Sequence, residues 1–229
     1  MKQRGIIKAL YAVFILAFLI AIKPYGGAKS VSSFANEETV VFVDIDLKRL
    51  SVYKNGIAKK ICTIATGKYD TPTPIGIFLV NSRFSGEMSG FGTCFLGLSV
   101  PWGQYGIHGT NKPESIGYNA SHGCIRLKNN DAEEVYKMVP NGSKVVIMGG
   151  AYGLLDYGYR EMRSGDRGSH VKALQQRLIL GGYLSGHPDG VYGNYTALAV
   201  RKAQKEFGLY EDGVCGVLLM KRLGLILYE

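Results

Sequence analysis

Residues 40–65 read VVFVDIDLKRLSVYKNGIAKKICTIA, a stretch rich in β-branched residues that one turn signal divides. Positions 40–46 partly alternate apolar and polar side chains, which predicts a half-buried strand, and residues 50–53 predict a second one. The dipeptide Asn55-Gly56 is the strongest two-residue hairpin signal, so residues 57–65 are expected to return as the next strand. This stretch therefore indicates a β-rich fold.

Strand and turn signals continue as far as residue 149. The turn at 71–74, which contains two prolines, precedes a predicted strand at 75–80, and three shorter strands are predicted at 95–100, 105–108 and 144–148. Asn129-Asn130-Asp131 can cap a helix that ends before Pro140-Asn141-Gly142. Residues 39–149 are therefore predicted to form a β-rich domain, mostly antiparallel and sandwich-like, with one helix.

The periodicity becomes helical after residue 149. Residues 150–159 are rich in glycine and predict a linker. Ser169 can cap a helix in which Val171, Leu174 and Leu178 share one apolar stripe. A D-G-V-x-G motif occurs at 189–193 and again at 212–216, each time before a predicted helix. Residues 160–229 are therefore predicted to form a small all-α domain of three helices.

The N-terminus has the pattern of an export signal. Lys2 and Arg4 precede a run at 9–22 that contains no charged residue, glycine or proline. Such a run predicts an apolar helix that is either a cleaved secretory signal or a single membrane anchor, here placed at residues 1–28. Residues 29–38 are polar and predict a tether. The positive-inside rule then places the rest of the chain extracytoplasmically, on the cell-wall side of the membrane.

Composition excludes several classes of protein. With 46% hydrophobic and 20% charged residues, the 229-residue chain is not intrinsically disordered, and a single long apolar run excludes a polytopic membrane protein. Four cysteines are too few for a disulfide scaffold. Although the formal charge is +9, there is no long basic run and no stripe of aromatic and basic residues, so no nucleic-acid partner is predicted.

Two short segments concentrate reactive residue types, GIHGT at 106–110 and SHGCIRL at 121–127. If residues 121–127 are extended, His122, Cys124 and Arg126 share one face of the strand. A thiol beside an imidazole and a guanidinium is expected to have a lowered pKa and to be largely thiolate near neutral pH. His108 ends a predicted strand and is a candidate general base.

Two other interpretations of these segments remain open. His108, His122 and Cys124 could bind a metal ion, although no metal-ligand spacing such as C-x-x-C supports this and we predict neither a metal nor a cofactor. The same residues could serve packing alone, although they form a poor apolar core. Cys62, Cys94 and Cys215 are predicted to be small buried residues.

Residues 39–149 resemble the YkuD-type L,D-transpeptidase catalytic domain. The shared motifs are TPTPIG at 71–76, FGT at 91–93, YGIHGTN at 105–111, SIG at 115–117, SHGCIRL at 121–127 and N-x-D-A-E-E-V-Y at 129–136. Residues 160–224 resemble a three-helix peptidoglycan-binding domain, through marks that include Gln175, Gln204 and the two D-G-V motifs. This second region is expected to bind the cell wall, and its deletion is expected to preserve turnover of small soluble stem peptides.

The first resemblance implies a cysteine acyltransferase. Cys124 would attack the carbonyl of the third residue of a peptidoglycan tetrapeptide stem, release the terminal D-alanine and form a thioester that an amine of a second stem resolves. His108 is implied as the proton donor and acceptor, with His122 in a supporting role that orients the thiol. The backbone of Gly123 is implied as an oxyanion donor, and Arg126 is implied to position the loop or a substrate carboxylate, with a structural salt bridge as its alternative.

The resemblance also implies a substrate-binding set and leaves rival functions open. The residues implied to bind substrate are Tyr105, Gly109, Thr110 and Ser121. Water in place of the amine would make the protein an L,D-carboxypeptidase. A non-catalytic peptidoglycan-binding wall protein and a zinc hydrolase are further alternatives, and the sequence does not identify the acyl acceptor.

Overall fold

The computed structural model of the protein describes residues 38–150, 153–155 and 159–226. The predicted signal or anchor at 1–28, and the tether up to residue 37, lie outside these ranges. The β-rich and helical regions belong to one compact unit, so the predicted division into two domains stays a prediction. None of the helices in the described ranges combines the length and the apolar character that a membrane crossing demands.

Most of the β-rich region consists of a single large sheet. The strands of the described residues are β1 (Thr39–Asp44), β2 (Arg49–Lys54), β3 (Ile57–Thr63), β4 (Thr66–Gly67), β5 (Gly76–Met88), β6 (Gly92–Leu98), β7 (Tyr105–His108), β8 (Asn119–Ser121), β9 (Ile125–Arg126) and β10 (Lys144–Met148). Eight of them form one sheet in the order β3-β2-β1-β10-β5-β6-β7-β9, and β4 pairs with β8. The pairs β1–β10, β7–β9 and β4–β8 are parallel and the others antiparallel, which confirms a mostly antiparallel, β-rich region.

The predicted sandwich takes the form of one curled sheet. Strand β5 is 13 residues long and belongs to both halves, because it pairs with β10 up to Leu79 and with β6 from Val80 onward. A register irregularity between Val80 and Ser82 marks the change of partner. Buried residues of both halves, such as Val41 and Leu96, then meet in one hydrophobic core. The sequence predicted β5 only as far as residue 80, and so missed the strand that joins the two halves.

The hairpin between β2 and β3 forms as predicted. Asn55 and Gly56 have φ values of 50° and 77°, the left-handed conformations that a type I′ turn requires at both central positions. Lys54 pairs with Ile57 directly across this turn. Along β1, buried and half-buried residues alternate, which is the pattern that the sequence predicted.

A single α-helix, α1 (Asn129–Met138), accompanies the strands of the described β-rich region, beside a short 3₁₀ turn at Pro113–Ser115. The predicted capping role of Asn129-Asn130-Asp131 is wrong, because Lys128 is the N-cap and no side chain bonds the helix start. The Asp131 carboxylate instead forms an ion pair with Lys60 of β3 at 2.8 Å. Residues 129–131 are therefore the first turn of the helix.

The helical region contains α2 (Ser169–Leu180), α3 (Asn194–Glu206) and α4 (Val217–Arg222). Val171, Leu174 and Leu178 are fully buried in a core of their own, as their spacing predicted. Ser169 is not the helix cap, because Gly168 occupies that position. The Ser169 hydroxyl instead accepts a hydrogen bond from the backbone N–H of Ile75, in the β-rich region, at 2.9 Å.

Each of the two D-G-V turns is held by a buried glutamine. The Gln175 amide donates to the aspartate carboxylate and the valine carbonyl of turn 189–191 at 2.8 and 3.1 Å, and accepts from the glycine N–H at 2.8 Å. Gln204 makes the same bonds with turn 212–214, at 2.7, 3.0 and 2.9 Å. The sequence repeat is therefore also a repeat of a hydrogen-bonded clamp.

Replacing a clamp glutamine is expected to destabilise the helical region. Gln175→Ala leaves the Gly190 N–H without its buried partner, so we expect the free energy of unfolding to fall by about 1–3 kcal/mol. Gln176→Ala, at the exposed neighbouring position of the same helix, is the matched control and should change it by less than about 0.5 kcal/mol. Urea denaturation followed by circular dichroism measures both, and equal losses would contradict the clamp.

Candidate active site

A sharp bend carries Cys124. Strand β8 ends at Ser121, residues 122–123 bend, and Cys124 directly precedes β9. Gly123 has a φ of 111°, in the left-handed region that glycine tolerates best. The Ser121 hydroxyl holds the bend, because it donates to the Cys124 carbonyl at 2.6 Å and accepts from the Gly123 N–H at 3.1 Å.

The bend changes two predictions. Because residues 121–127 are not continuously extended, strand alternation does not place His122 on the face of Cys124 and Arg126, and His122 is exposed instead. The Gly123 N–H, predicted as an oxyanion donor, already donates to Ser121. A Cβ atom at Gly123 would lie 2.6 Å from Cε1 of Tyr105, so a larger residue would displace the bend from the ring on which it packs.

Parallel pairing of β7 with β9 brings the other candidate residues together. Ile107 lies opposite Ile125, and His108 lies opposite Arg126. The thiol of Cys124 receives a hydrogen bond from the Gly106 backbone and is affected by the charge of Arg126. The two segments that the sequence singled out therefore meet at the end of two neighbouring strands.

His108 is enclosed and held neutral. It is only 3% exposed, with the Phe91 ring edge-on at 4.9 Å and the Phe95 ring stacked at 5.9 Å. Burial lowers the pKa of His108, and the charge of Arg126 lowers it further, against the opposing effect of backbone carbonyls at Gly109 and Phe91. Since a carbonyl can only accept, Nδ1 donates its proton to the Gly109 oxygen at 2.5 Å, and the neutral ring carries its lone pair on Nε2.

Cys124 differs from its predicted state. Burial raises the pKa of the Cys124 thiol, and this effect exceeds the lowering caused by the Gly106 N–H and the Arg126 charge. The prediction of a thiolate near neutral pH is therefore wrong, because the burial of a side chain cannot be read from the local sequence. At neutral pH the site holds a protonated thiol and a neutral imidazole.

The other three cysteines are packing residues, as predicted. Cys62, Cys94 and Cys215 are unpaired and no more than 4% exposed, whereas Cys124 is partly accessible. Burial raises the pKa of both Cys62 and Cys215 to about 12. Cys124 is thus the one cysteine of the chain that a substrate can reach.

We expect alkylation of Cys124 by iodoacetamide to accelerate with pH up to a midpoint above the value of about 8.5 for a free thiol. The reason is the raised thiol pKa, which keeps the reactive thiolate scarce at neutral pH. Mass spectrometry of labelled peptides follows the rate, with buried Cys94 as the internal control that should stay unlabelled in the folded protein. A rate that is already at its plateau between pH 6 and 8 would contradict the protonated thiol.

Arg126 does not form the structural salt bridge considered as its alternative. Among the described residues it has no carboxylate partner, and its Nη1 makes one long hydrogen bond of 3.4 Å to the Ala120 carbonyl. Its Nε is buried and has no hydrogen-bond partner in the described part of the chain. Its charge favours the thiolate of Cys124 and the neutral form of His108.

The residues predicted to bind substrate divide into two groups. Gly109, Thr110 and Ser121 are buried; the Gly109 carbonyl accepts from the His108 ring, and the hydroxyls of Thr110 and Ser121 bond neighbouring backbone groups. Tyr105 instead lines a cavity of about 140 Å³ together with the exposed His122. The remaining residues of this cavity are Asp70, Thr71, Pro72, Pro74, Trp102, Arg167, Gly168 and Ser169. No sequence motif indicated Trp102 or Arg167 as parts of this site.

Two further features of the described residues are a second cavity and the arrangement of possible metal ligands. A cavity of about 680 Å³ lies in the helical region, and none of the predicted site residues lines it. Within the described ranges, no three His, Cys, Asp or Glu side chains gather closely enough to hold a metal ion.

Comparison with known proteins identifies both regions. A family model described as "L,D-transpeptidase catalytic domain" matches residues 38–147, and one described as "Putative peptidoglycan binding domain" matches 167–223. "Putative L,D-transpeptidase YkuD" of Bacillus subtilis (strain 168) is 43% identical over 107 residues, which cover 47% of this chain and 64% of that protein. The protein of the same name from Bacillus licheniformis is 38% identical over 120 residues, covering 51% of this chain and 72% of the relative.

A crystal structure of an L,D-transpeptidase from Mycobacterium tuberculosis H37Rv is also similar, with a TM-score of 0.44 and 23% identity. That match covers 49% of this chain and 58% of the other. The curated matches define the class: the chain belongs to the L,D-transpeptidase family. Within it, the chain has a YkuD-type catalytic domain followed by a peptidoglycan-binding domain, as its motifs predicted. It spans only 64% of the B. subtilis relative, so the activity of the whole protein is a proposal.

Proposed function

We propose that the protein is an exported L,D-transpeptidase that acts on peptidoglycan stem peptides through a thioester at Cys124. The observation that carries this proposal is one accessible cysteine directly before β9, the strand paired with the one that ends at a buried, neutral histidine whose Nδ1 is fixed by a backbone carbonyl. A protonated thiol needs a base at the moment of attack, and the lone pair on His108 Nε2 supplies one.

Acylation is proposed to begin with proton transfer. His108 Nε2 takes the thiol proton as Sγ of Cys124 bonds to the carbonyl carbon of the third stem residue. The bond from that carbon to the nitrogen of the terminal D-alanine then breaks, and His108 returns the proton to the leaving amine. The products are free D-alanine and a thioester on Cys124.

Deacylation reverses the roles of the same groups. The amine of an acceptor attacks the thioester carbon, and His108 Nε2 accepts a proton from the attacking nitrogen. The carbon–sulfur bond breaks, and the proton returns to the sulfur of Cys124. When the acceptor amine belongs to a second stem, the product is a cross-link between two stems.

The charge that develops on the substrate oxygen needs donors. The Gly123 N–H would have to leave Ser121 to serve, so we assign this role to the backbone N–H of Cys124 itself. Arg126 is proposed to stabilise the thiolate as it forms, because its charge already lowers the thiol pKa. His122 borders the neighbouring cavity and is proposed to contact substrate there.

Sequence patterns in the N-terminal and C-terminal regions support proposals for the location and the partners of the protein. The basic and apolar N-terminal pattern at 1–28 is proposed to direct export and to serve as a signal or membrane anchor. The region matched as a peptidoglycan-binding domain is proposed to bind the wall that contains the substrate.

Defined muropeptides and mass spectrometry test the proposed function. Incubation with tetrapeptide stems should release D-alanine, give a protein adduct at Cys124 and yield cross-linked dimers. Tripeptide products without dimers, at every acceptor concentration, would make the protein an L,D-carboxypeptidase. Absence of both D-alanine release and the adduct in correctly folded protein would refute the proposal and favour a non-catalytic wall protein.

A further inference from the structure

The helical region packs directly against the β-rich region at Trp102. This residue, the only tryptophan of the chain, is 7% exposed. It lies so close to the turn at Gly190 that a Cβ atom there would be 2.3 Å from Trp102 Cε3. Val191 of the same turn packs against the core of the β-rich region. A D-G-V turn of the helical region thus packs against the catalytic region.

Two polar contacts join the same surfaces. The buried hydrogen bond from the Ile75 N–H to the Ser169 hydroxyl connects the start of β5 to the start of α2. One turn along α2, the Lys172 ammonium lies 5.5 Å from the centre of the Phe78 ring and 6.0 Å from that of Trp102. The contact therefore combines apolar packing, a buried hydrogen bond and a cation near two aromatic rings.

This contact fixes the position of Arg167. The backbone of Arg167 forms a β-bridge with Val191, and the next N–H, that of Gly168, donates to the Gly190 carbonyl at 2.9 Å. The turn that contacts Trp102 therefore also holds Arg167 and Gly168 at the cavity of about 140 Å³. His122 and Tyr105 line this cavity from the catalytic side, and both adjoin Gly123, next to Cys124.

The size and charge of the cavity match one end of a peptide. At about 30 Å³ for each water molecule, its volume corresponds to about five waters, which is room for one small residue and not for a whole stem. Arg167 is exposed and forms no ion pair among the described residues, whereas Asp70, at the same cavity, is already engaged with a neighbour. Arg167 is therefore a cation that remains available to a ligand, and a guanidinium suits a carboxylate.

We propose that the helical region is a fixed wall of the substrate cleft, and that Arg167 binds the terminal carboxylate of the stem peptide. This inference rests on the proposed function. The carboxylate belongs to the residue directly after the bond that Cys124 attacks, so its binding positions the scissile carbonyl. The helical region would then act in substrate selection as well as in wall attachment, and its removal should impair even small stems, in contrast to the expectation from sequence.

Equilibrium binding tests the role of Arg167 without turnover. In a Cys124→Ala background, a tetrapeptide stem with a free terminal carboxylate should bind about tenfold more tightly than the same peptide with a terminal amide. Arg167→Gln should abolish this difference. Arg163→Gln is the matched control, because Arg163 is an exposed arginine of the same loop that pairs with Glu161, and it should retain the difference. Titration calorimetry gives the three pairs of Kd values, and a carboxylate preference that persists in Arg167→Gln, or is absent from the start, overturns the proposal.

A pair of glycine variants tests the wall itself. Gly190 and Gly213 occupy the same position of the two D-G-V turns, with φ values of 72° and 76°, so alanine strains both backbones alike. Only at Gly190 does the new Cβ meet a ring, since at Gly213 it meets the flexible end of Arg201 at 3.1 Å. Gly190→Ala should shift the emission of Trp102 to longer wavelength and abolish the carboxylate preference, whereas Gly213→Ala should do neither. Equal effects of the two variants would overturn the fixed wall.

The tests separate this inference from the proposed function. Turnover by the protein with Cys124 intact tests the proposed function, whereas the carboxylate preference is measured in Cys124→Ala protein, which lacks the nucleophile. If the protein shows no turnover but its preference for the free carboxylate depends on Arg167, the transpeptidase function is refuted and the role of the helical region in the cleft is supported. If the protein shows turnover but the carboxylate preference is the same in Arg167→Gln, the transpeptidase function is supported and the role of the helical region in the cleft is refuted.

Discussion

Cys124→Ala is expected to abolish D-alanine release and the covalent adduct, while the thermal unfolding midpoint stays close to that of the unchanged protein. Cys124 is the only cysteine of the chain that is not buried, and loss of its thiol removes the bond-forming atom. The Cys124 side chain is partly exposed, and the Ser121 hydroxyl holds the bend through the backbone of Gly123 and Cys124. Removal of the thiol should therefore disturb the bend little. Mass spectrometry of the protein and product analysis with tetrapeptide stems measure the outcome.

Cys94→Ala is the matched control for this prediction. Cys94 lies in β6, is 3% exposed and is paired with no other cysteine, so its replacement should cost some stability but keep most activity. A folded Cys94→Ala protein that is as inactive as Cys124→Ala would overturn the assignment of the nucleophile. A Cys124→Ala protein that still forms the adduct would do the same.

His108→Gln is expected to lower the rate of acylation by about 10²–10⁴, the range typical of lost general acid–base catalysis. Because burial holds His108 neutral, the substitution removes a proton acceptor and not a positive charge. The pH midpoint of Cys124 alkylation should therefore change little. Single-turnover kinetics and iodoacetamide labelling measure the two quantities on the same protein.

His122→Gln is the control that distinguishes the two histidines. His122 is exposed and lies on the far side of the Gly123 bend from β9, so its loss should affect peptide binding more than the acylation rate. A rate loss in His122→Gln larger than that in His108→Gln would transfer the role of base to His122. A raised alkylation midpoint in His108→Gln would instead show that the unchanged site contains a thiolate–imidazolium pair.

The lowered pKa of His108 also sets the lower pH limit of activity. A lowered pKa keeps Nε2 unprotonated to a lower pH than the value of about 6.5 for a free imidazole. Activity should therefore persist at pH 6.5 and fall only below it, as His108 gains its proton and can no longer accept one from the thiol.

Local sequence signals predicted the elements that depend on local geometry. Asn55-Gly56 specifies its turn through two left-handed residues, and the spacing of Val171, Leu174 and Leu178 specifies one face of a helix. The pairing of segments 105–108 and 121–127 was not visible in this way. The family motifs implied only that residues of both segments act in one site, and the strand pairing itself is visible only in the folded chain.

The features that sequence did not predict depend on packing between distant residues. The raised pKa of the Cys124 thiol results from burial, which outweighs the neighbouring charge that the sequence did reveal. Ser169 has the residue type of a helix cap, yet its hydroxyl bonds Ile75, 94 positions earlier. Trp102 and Arg167 lie 65 positions apart and carry no shared motif, so only the folded chain brings them to one cavity.

The parallel pairing of β1 with β10 has a mechanical consequence. Five residue pairs, from Val40 opposite Lys144 to Asp44 opposite Met148, join the strands through which the β-rich region is entered and left. A tension applied between residue 39 and residue 148 pulls these strands in opposite directions along their axes. All the hydrogen bonds of the pair then bear the load together in shear, and they are not broken one after another. Strands β7 and β9 lie beyond β5 and β6 in the sheet, so the segment that holds Cys124 is outside the path of the force.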